Sequence, residues 1–159
     1  MTETKICNAK YCLHPSREIP LGEEVRGRRG QYYHADCFRT MQCFLEAKSL
    51  YCDYDETVHI PQLVSVLKSI FYIKRFDPDF ALYAIKKALS RKTVKHPCGL
   101  HYVVRDNVLR EQFEQSRLKV VRAEAESDEE NINPLGMGSK DKYTPSEFKG
   151  FGAIFKGGR

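Results

Sequence analysis

Two pairs of soft donors stand near the front of this 159-residue chain, Cys7-x4-Cys12 and, after a loop, His34-x2-Cys37. A close pair of thiol or imidazole groups clamps a metal ion from a tight turn, and two such pairs complete a tetrahedron. No other feature constrains the fold as much. Residues 1–53 hold five of the six Cys, several Gly and little helical periodicity. A module this small cannot bury enough apolar surface to fold unaided. Structural zinc binding, worth on the order of 10–16 kcal/mol in peptides, supplies what is missing. The spacing therefore predicts a closed Zn2+ site with Cys7, Cys12, His34 and Cys37 as ligands. The loop between the pairs folds back as hairpins, with Val25, Tyr32 and Tyr33 as strand formers and Gly22, Gly27 and Gly30 available for turns.

The other candidate donors form no second set. Cys43 and Cys52 sit nine apart without a matching pair downstream, and Cys98 with His96 or His101 completes no group of four. These residues, with His59, read as buried thiols and exposed imidazoles; His14 is the replacement ligand should Cys12 not serve. Met1–Ile6 lacks the apolar run of a signal peptide, and Leu63–Ile73 is interrupted by Lys68 and too short to span a bilayer. The expectation is a cytoplasmic or nuclear protein, neither secreted nor membrane-bound, whose thiols are reduced or metal-bound.

The segments Ile19-Pro20-Leu21-Gly22-Glu23-Glu24-Val25 and Gln31-Tyr32-Tyr33-His34-Ala35-Asp36-Cys37-Phe38 carry a resemblance. Residues 5–44 resemble LIM domains and the zinc fingers of poly(ADP-ribose) polymerases, which share an Ile…Gly-Glu segment and a Tyr-His-x-x-Cys-Phe segment. The resemblance implies a treble-clef-like finger, the same four ligands, and a helix after the second pair, placed at Arg39–Lys48. The first pair departs from those families in having four intervening residues rather than two. The polymerase fingers imply DNA as partner, the LIM domains protein. Phe80–Phe113 is also faintly similar to helical segments of replication-initiation proteins.

The fold class expected is small α+β: a zinc-finger module at 1–53, a helical module at 54–122, and a flexible tail at 123–159. Leu63, Val66, Leu67, Ile70 and Phe71 recur on one helical face behind Pro61. Asp77 caps and Pro78 opens a second helix with the stripe Ala81, Ala84, Ile85, Ala88 and Leu89. His96–Gly99 turns the chain, Leu100, Val103 and Val104 begin a third piece, and Asp106 recaps before Val108, Leu109, Phe113 and Val120. Beyond Ala123 the chain is polar and broken by Gly and Pro, apart from Phe148, Phe151, Ile154 and Phe155, which suit docking on a protein partner.

Charge is uneven. Residues 1–53 carry eight Lys and Arg against seven Asp and Glu, residues 54–118 eleven against seven, and residues 119–159 seven against seven. Arg26, Arg28 and Arg29 flank Tyr32 and Tyr33, a pattern that pairs phosphates and stacks unpaired bases. Lys87, Arg91 and Lys95, with Lys92 beside them, line up at helical spacing. No Walker loop, His-Glu-x-x-His or deaminase motif is present, and a closed four-ligand site has no position for an activated water. The sequence reads as a non-enzymatic, zinc-binding partner of DNA or RNA within replication or transcription machinery. A zinc-stabilised protein–protein adaptor is the alternative.

Overall fold

Ile19 is the one large aliphatic side chain completely buried in the first thirty-odd positions, and the N-terminal strands are arranged round it. In the computed structural model, which describes residues 4–131 and side chains as far as Ala123, strand β1 (Thr4–Ile6) pairs antiparallel with β2 (Glu18–Pro20). Lys5 stands opposite Ile19 in this ladder. A second hairpin joins β3 (Val25–Arg26) to β4 (Tyr32–Tyr33), with Val25 opposite Tyr33. Between them Arg28–Gly30 makes a 3-10 turn that needs φ of +62° at Arg29 and +70° at Gly30. Gly27 is required for a different reason: a Cβ there would lie 2.5 Å from the Tyr33 ring.

Helix α1 (Ala35–Tyr54) follows directly, with Asp36 in its first turn where the helix dipole favours a carboxylate. It is longer at both ends than the Arg39–Lys48 helix implied by the family resemblance. The reason is its buried stripe of Cys37, Thr40, Cys43, Ala47 and Tyr51, which continues past Lys48 because the second half packs on the helical core. Cys37, Phe38 and Met41 join the cluster around Ile19, whereas Cys43, Ala47 and Tyr51 join the main core. One helix therefore belongs to two cores.

The helical part follows its punctuation. Helix α2 (Ile60–Lys68), with Pro61 in its first turn, runs into a π-helical turn at Ser69–Ile73, and Leu63, Val66, Leu67, Ile70 and Phe71 are all buried. Helix α3 (Pro78–Ser90) opens as its sequence predicts: the Phe80 backbone N–H donates to Asp77 Oδ1 at 2.7 Å. Helix α4 (Leu100–Val103) comes after a 3-10 turn at Pro97–Gly99, and helix α5 (Asn107–Asn131) begins where Asp106 Oδ1 accepts from the Val108 N–H at 2.8 Å. Leu109 and Phe113 pack on Phe80 and Ala84, but Val108 and Val120 lie 60% and 56% exposed, on faces of α5 turned from α3. Small α+β, with short N-terminal hairpins and then five helices, is the architecture expected. Helix α5 runs on past Val121 as far as Asn131. It thus extends into the segment read as tail, while the docking residues Phe148, Phe151, Ile154 and Phe155 lie outside the described residues.

One expectation fails. Lys87, Arg91 and Lys95 do not share a helix face, because α3 stops at Ser90. Its last carbonyls are closed by a Schellman turn in which the Thr93 N–H donates to Ala88 O at 3.1 Å and the Lys92 N–H to Leu89 O at 3.0 Å. Lys92 occupies the position where glycine is usual and carries φ of +53°. A β-carbon in that region costs about 1 kcal/mol. Lys92→Gly should accordingly raise stability by about 0.5–1 kcal/mol, whereas Asp77→Ala should lower it by about 1 kcal/mol. Urea unfolding followed by circular dichroism checks both signs.

Candidate metal centre

The loop after β1, the end of the second hairpin and the first turn of α1 bring four donors together. The ligand atoms of Cys7, Cys12, His34 and Cys37 lie within 4.8 Å of one another. Cys12 Sγ is 3.5 Å from His34 Nδ1 and 3.8 Å from Cys37 Sγ, and Cys37 Sγ is 3.8 Å from His34 Nδ1. Cys7 and Cys37 are buried, while Cys12 and His34 are half-buried. These four side chains can hold a metal ion.

The tautomer of His34 favours that role. Its Nε2 lies 3.2 Å from the Glu18 carbonyl, which can only accept, so Nε2 carries the proton and donates. In the neutral ring Nδ1 then keeps a lone pair, and it is Nδ1 that faces the sulfurs. The Leu13 N–H donates to Cys37 Sγ at 3.3 Å, a contact that steadies a thiolate. An outer layer backs the site: Asp36 Oδ1 accepts from the Cys37 N–H at 2.8 Å, and both Asp36 oxygens lie 2.9 Å from His14 Nε2. The His14 ring stacks on His34 at 3.9 Å. His14, read as a substitute ligand, thus supports the site from outside beside Asp36, and Cys12 occupies the fourth corner.

The thiols also register crowding. Burial pushes Cys37 up to about 12, the neighbouring Cys12 and Cys7 push the same way, and the Leu13 N–H opposes them. At Cys7 burial again raises the pKa, but hydrogen bonds at Ala9 and His34 and from Cys12 outweigh it, leaving the thiol below its ordinary value. Several thiolates packed this closely repel one another unless a cation sits among them. Burial holds the Asp36 carboxyl up, but its hydrogen bonds to His14 and the Cys37 N–H prevail and lower it.

The centre is joined to the helices at two places. Helix α1 carries Cys37, and Tyr11, in the loop between Cys7 and Cys12, packs at 5.1 Å on Tyr72 of the π-helical turn, with Lys68 Nζ 5.0 Å from the Tyr11 ring centre. Among the described residues no other group of ligands assembles apart from His14, Asp36 and Cys37, which shares a sulfur with the first. Cys98 is exposed, Cys43 buried and Cys52 half-buried.

The basic residues have separate fates. Arg26, Arg28 and Arg29 are exposed on the second hairpin, but Tyr33 beneath them is core, 6% exposed, with its hydroxyl donating to Gln31 Oε1 at 2.6 Å. Tyr32 is half-buried between Lys5, 4.2 Å from its ring centre, and Arg26, 5.9 Å away. Neither ring is open for stacking as the sequence suggested. Lys87, Arg91, Lys92 and Lys95 are exposed around the end of α3. A further signal lies in the sequence of this region: from Phe80 to Arg105 there is no Asp or Glu, while Lys86, Lys87, Arg91, Lys92, Lys95 and Arg105 fall within it.

Comparison with known protein families, curated proteins and solved structures finds no match to this chain. No helix among the described residues is long and apolar enough to cross a membrane.

Metal analysis tests the centre directly. Purified protein should contain one equivalent of metal per chain, and Cys7→Ser or Cys37→Ser should lose it. Because each ligating thiol gives up its proton, metal added to the metal-free protein should acidify a weakly buffered solution. Unchanged metal content in both variants would show that the ion is held elsewhere.

Proposed function

We propose that the chain is a zinc-stabilised, non-enzymatic protein that binds DNA or RNA through its phosphates. Zinc is favoured by the donor set and its dimensions. A tetrahedral zinc ion, with bonds of about 2.3 Å to sulfur and 2.0 Å to nitrogen, keeps its sulfurs about 3.8 Å apart and sulfur and nitrogen about 3.5 Å apart. The Cys12–Cys37 and Cys12–His34 separations of 3.8 and 3.5 Å match those edges, and the Cys37–His34 separation of 3.8 Å is slightly longer than its edge. Four protein ligands leave the ion no open position, so its role is structural, in the manner of the treble-clef-like fingers that residues 5–44 resemble.

The nucleic-acid reading is carried by the acid-free run from Phe80 to Arg105. Three cations are in ion pairs: Lys5 with Glu24, Arg39 with Asp79 and, inside the run, Lys86 with Glu46. Among the described residues Arg91, Lys92 and Lys95 are in no ion pair. The helix dipole accounts for Lys87, in the last turn of α3, but its influence fades within that turn and does not explain Lys92 or Lys95. Unpaired cations next to one another repel, and a polyanion relieves that repulsion while releasing its counterions. The exposed Arg26, Arg28 and Arg29 form a second contact on the finger. In this reading the tail at 123–159 recruits a protein of the replication or transcription machinery.

One observation favours the adaptor reading instead. A cleft of about 500 Å3 beside the finger hairpin is lined by Tyr33, Phe38, Met41 and Leu45, and Leu45 is 55% exposed. An apolar slot with Arg28 on its edge suits a peptide side chain as well as a phosphate.

A salt titration decides between them. With labelled duplex DNA, log K should fall linearly with log salt, and Arg28→Glu with Arg29→Glu should flatten the slope by about two units. No binding at low ionric strength would overturn the nucleic-acid reading. Binding with an unchanged slope in the double variant would remove the finger from the interface.

A further inference from the structure

The end of α3, the Pro97–Gly99 turn, α4 and the start of α5 enclose a cleft of about 650 Å3 that the metal centre does not use. Its floor is apolar, formed by Ala88, Val94, Val103 and Leu109, which are buried or half-buried. Exposed polar groups stand on its rim: Arg91, Lys95, His96 and Tyr102. The carboxylate among its lining residues, Asp106, is already engaged, its Oδ1 accepting the N–H groups of Val108 at 2.8 Å and Leu109 at 3.4 Å. Tyr102 is 79% exposed although it sits on a helix whose neighbouring Leu100 is completely buried.

The geometry points to a subsite for an unpaired nucleotide, with a base on the apolar floor against the Tyr102 ring and the flanking phosphates at Arg91 and Lys95. An aromatic ring beside cations, over an apolar floor, is what single-stranded DNA and RNA bind, because every base offers a flat face and each linkage a negative charge; the Asp106 carboxylate keeps its charge while its Oδ1 caps the helix. In a duplex those faces are hidden by stacking, so the cleft distinguishes unpaired from paired strands. An acidic peptide also satisfies Arg91 and Lys95, but its backbone amides need partners that the apolar floor lacks. A polymer with evenly repeated charge further meets Lys92, which lines the adjoining cleft with Lys95 and with Asp55, whose Oδ1 accepts from Thr57. This subsite rests on the nucleic-acid reading and adds to it a class of strand and a residue that selects it.

The test uses the full zinc-loaded chain with labelled oligothymidylate, oligouridylate and a duplex of equal length, read by fluorescence anisotropy at low salt. The single strands should bind more tightly than the duplex. Tyr102→Ala should weaken single-strand binding by about tenfold, the loss expected when one base loses its aromatic partner, and leave the duplex unchanged. Tyr102→Phe should restore it, since stacking needs the ring and not the hydroxyl. The exposure of Tyr102 makes both variants safe for folding, and unaltered metal content and circular dichroism confirm that. Duplex binding equal to single-strand binding, insensitive to Tyr102→Ala, overturns the subsite and leaves the proposed function standing. Failure to bind any of the three overturns both. A Glu- and Leu-rich peptide that displaces the oligonucleotide in a Tyr102-dependent way reassigns the cleft to a protein partner.

Discussion

Three sulfurs and an imidazole nitrogen crowded into one corner govern the first fifty residues. Taken as bare thiols they add only small apolar bulk, with burial and the neighbouring sulfurs holding the proton on Cys37 up to about 12. Taken as ligands they hold together two loops that little else joins. The fully buried members of this corner are Cys7, Ala9, Ile19, Tyr33 and Cys37, and two of the five are themselves donors. Without a cation the apolar contacts that remain centre on Ile19, Ala9 and Tyr33, with Leu13, Tyr32, Phe38 and Met41 half-buried around them. Such a core offsets little of the backbone entropy that the loops lose on ordering.

Helix α1 makes this local constraint felt further away. Its first turns supply Cys37, Phe38 and Met41 to the metal corner, and its later turns supply Cys43, Ala47 and Tyr51 to the helical core. The Arg39–Asp79 ion pair then fastens the same helix to the start of α3. Without a bound metal the N-terminal end of α1 would lose that anchor, while its later turns remain packed in the helical core. The stability of the two cores is therefore unequal, and the metal corner is the weaker.

Much of this was legible because some residues have few alternative uses. Two donor pairs in a chain with little apolar mass near them leave metal binding as the economical explanation. Asp77-Pro78 opens a helix since its carboxylate reaches the orphan N–H of Phe80 and its ring has no N–H to lose. The apolar stripes of α2 and α3 were legible for the same reason, as periodicity reports which face is dry. What could not be read depends on contacts between distant segments. Nothing local tells Tyr33 to be core while its neighbour Tyr32 lies between two cations. The outer layer of His14, Asp36 and the Glu18 carbonyl joins residues far apart in the chain, so no short motif encodes it. Lys95 was placed on a helix because helical spacing was extended beyond the point where the chain turns, and Lys92 gives no compositional warning of a turn that glycine would have announced.

That lysine separates two explanations of the basic surface. If positive charge near the end of α3 served only the helix dipole, glycine at position 92 would be the better choice, since it removes the left-handed strain and costs only a charge already past the last turn. Retaining a β-carbon there works against stability, and the preceding and following basic residues do not depend on it for their own conformation. Strain of about 1 kcal/mol at an exposed turn is most simply understood where the side chain has a partner that the free chain does not provide. Under the proposed function that partner is a surface-bound anion. The same reasoning applies to Arg29 and Arg75, the other non-glycine residues with positive φ, which are basic and exposed as well. Three turns closed by a long cation in place of glycine put positive charge on the surface, where, under the proposed function, a phosphate backbone reaches it without the burial that an ion pair within the fold would demand.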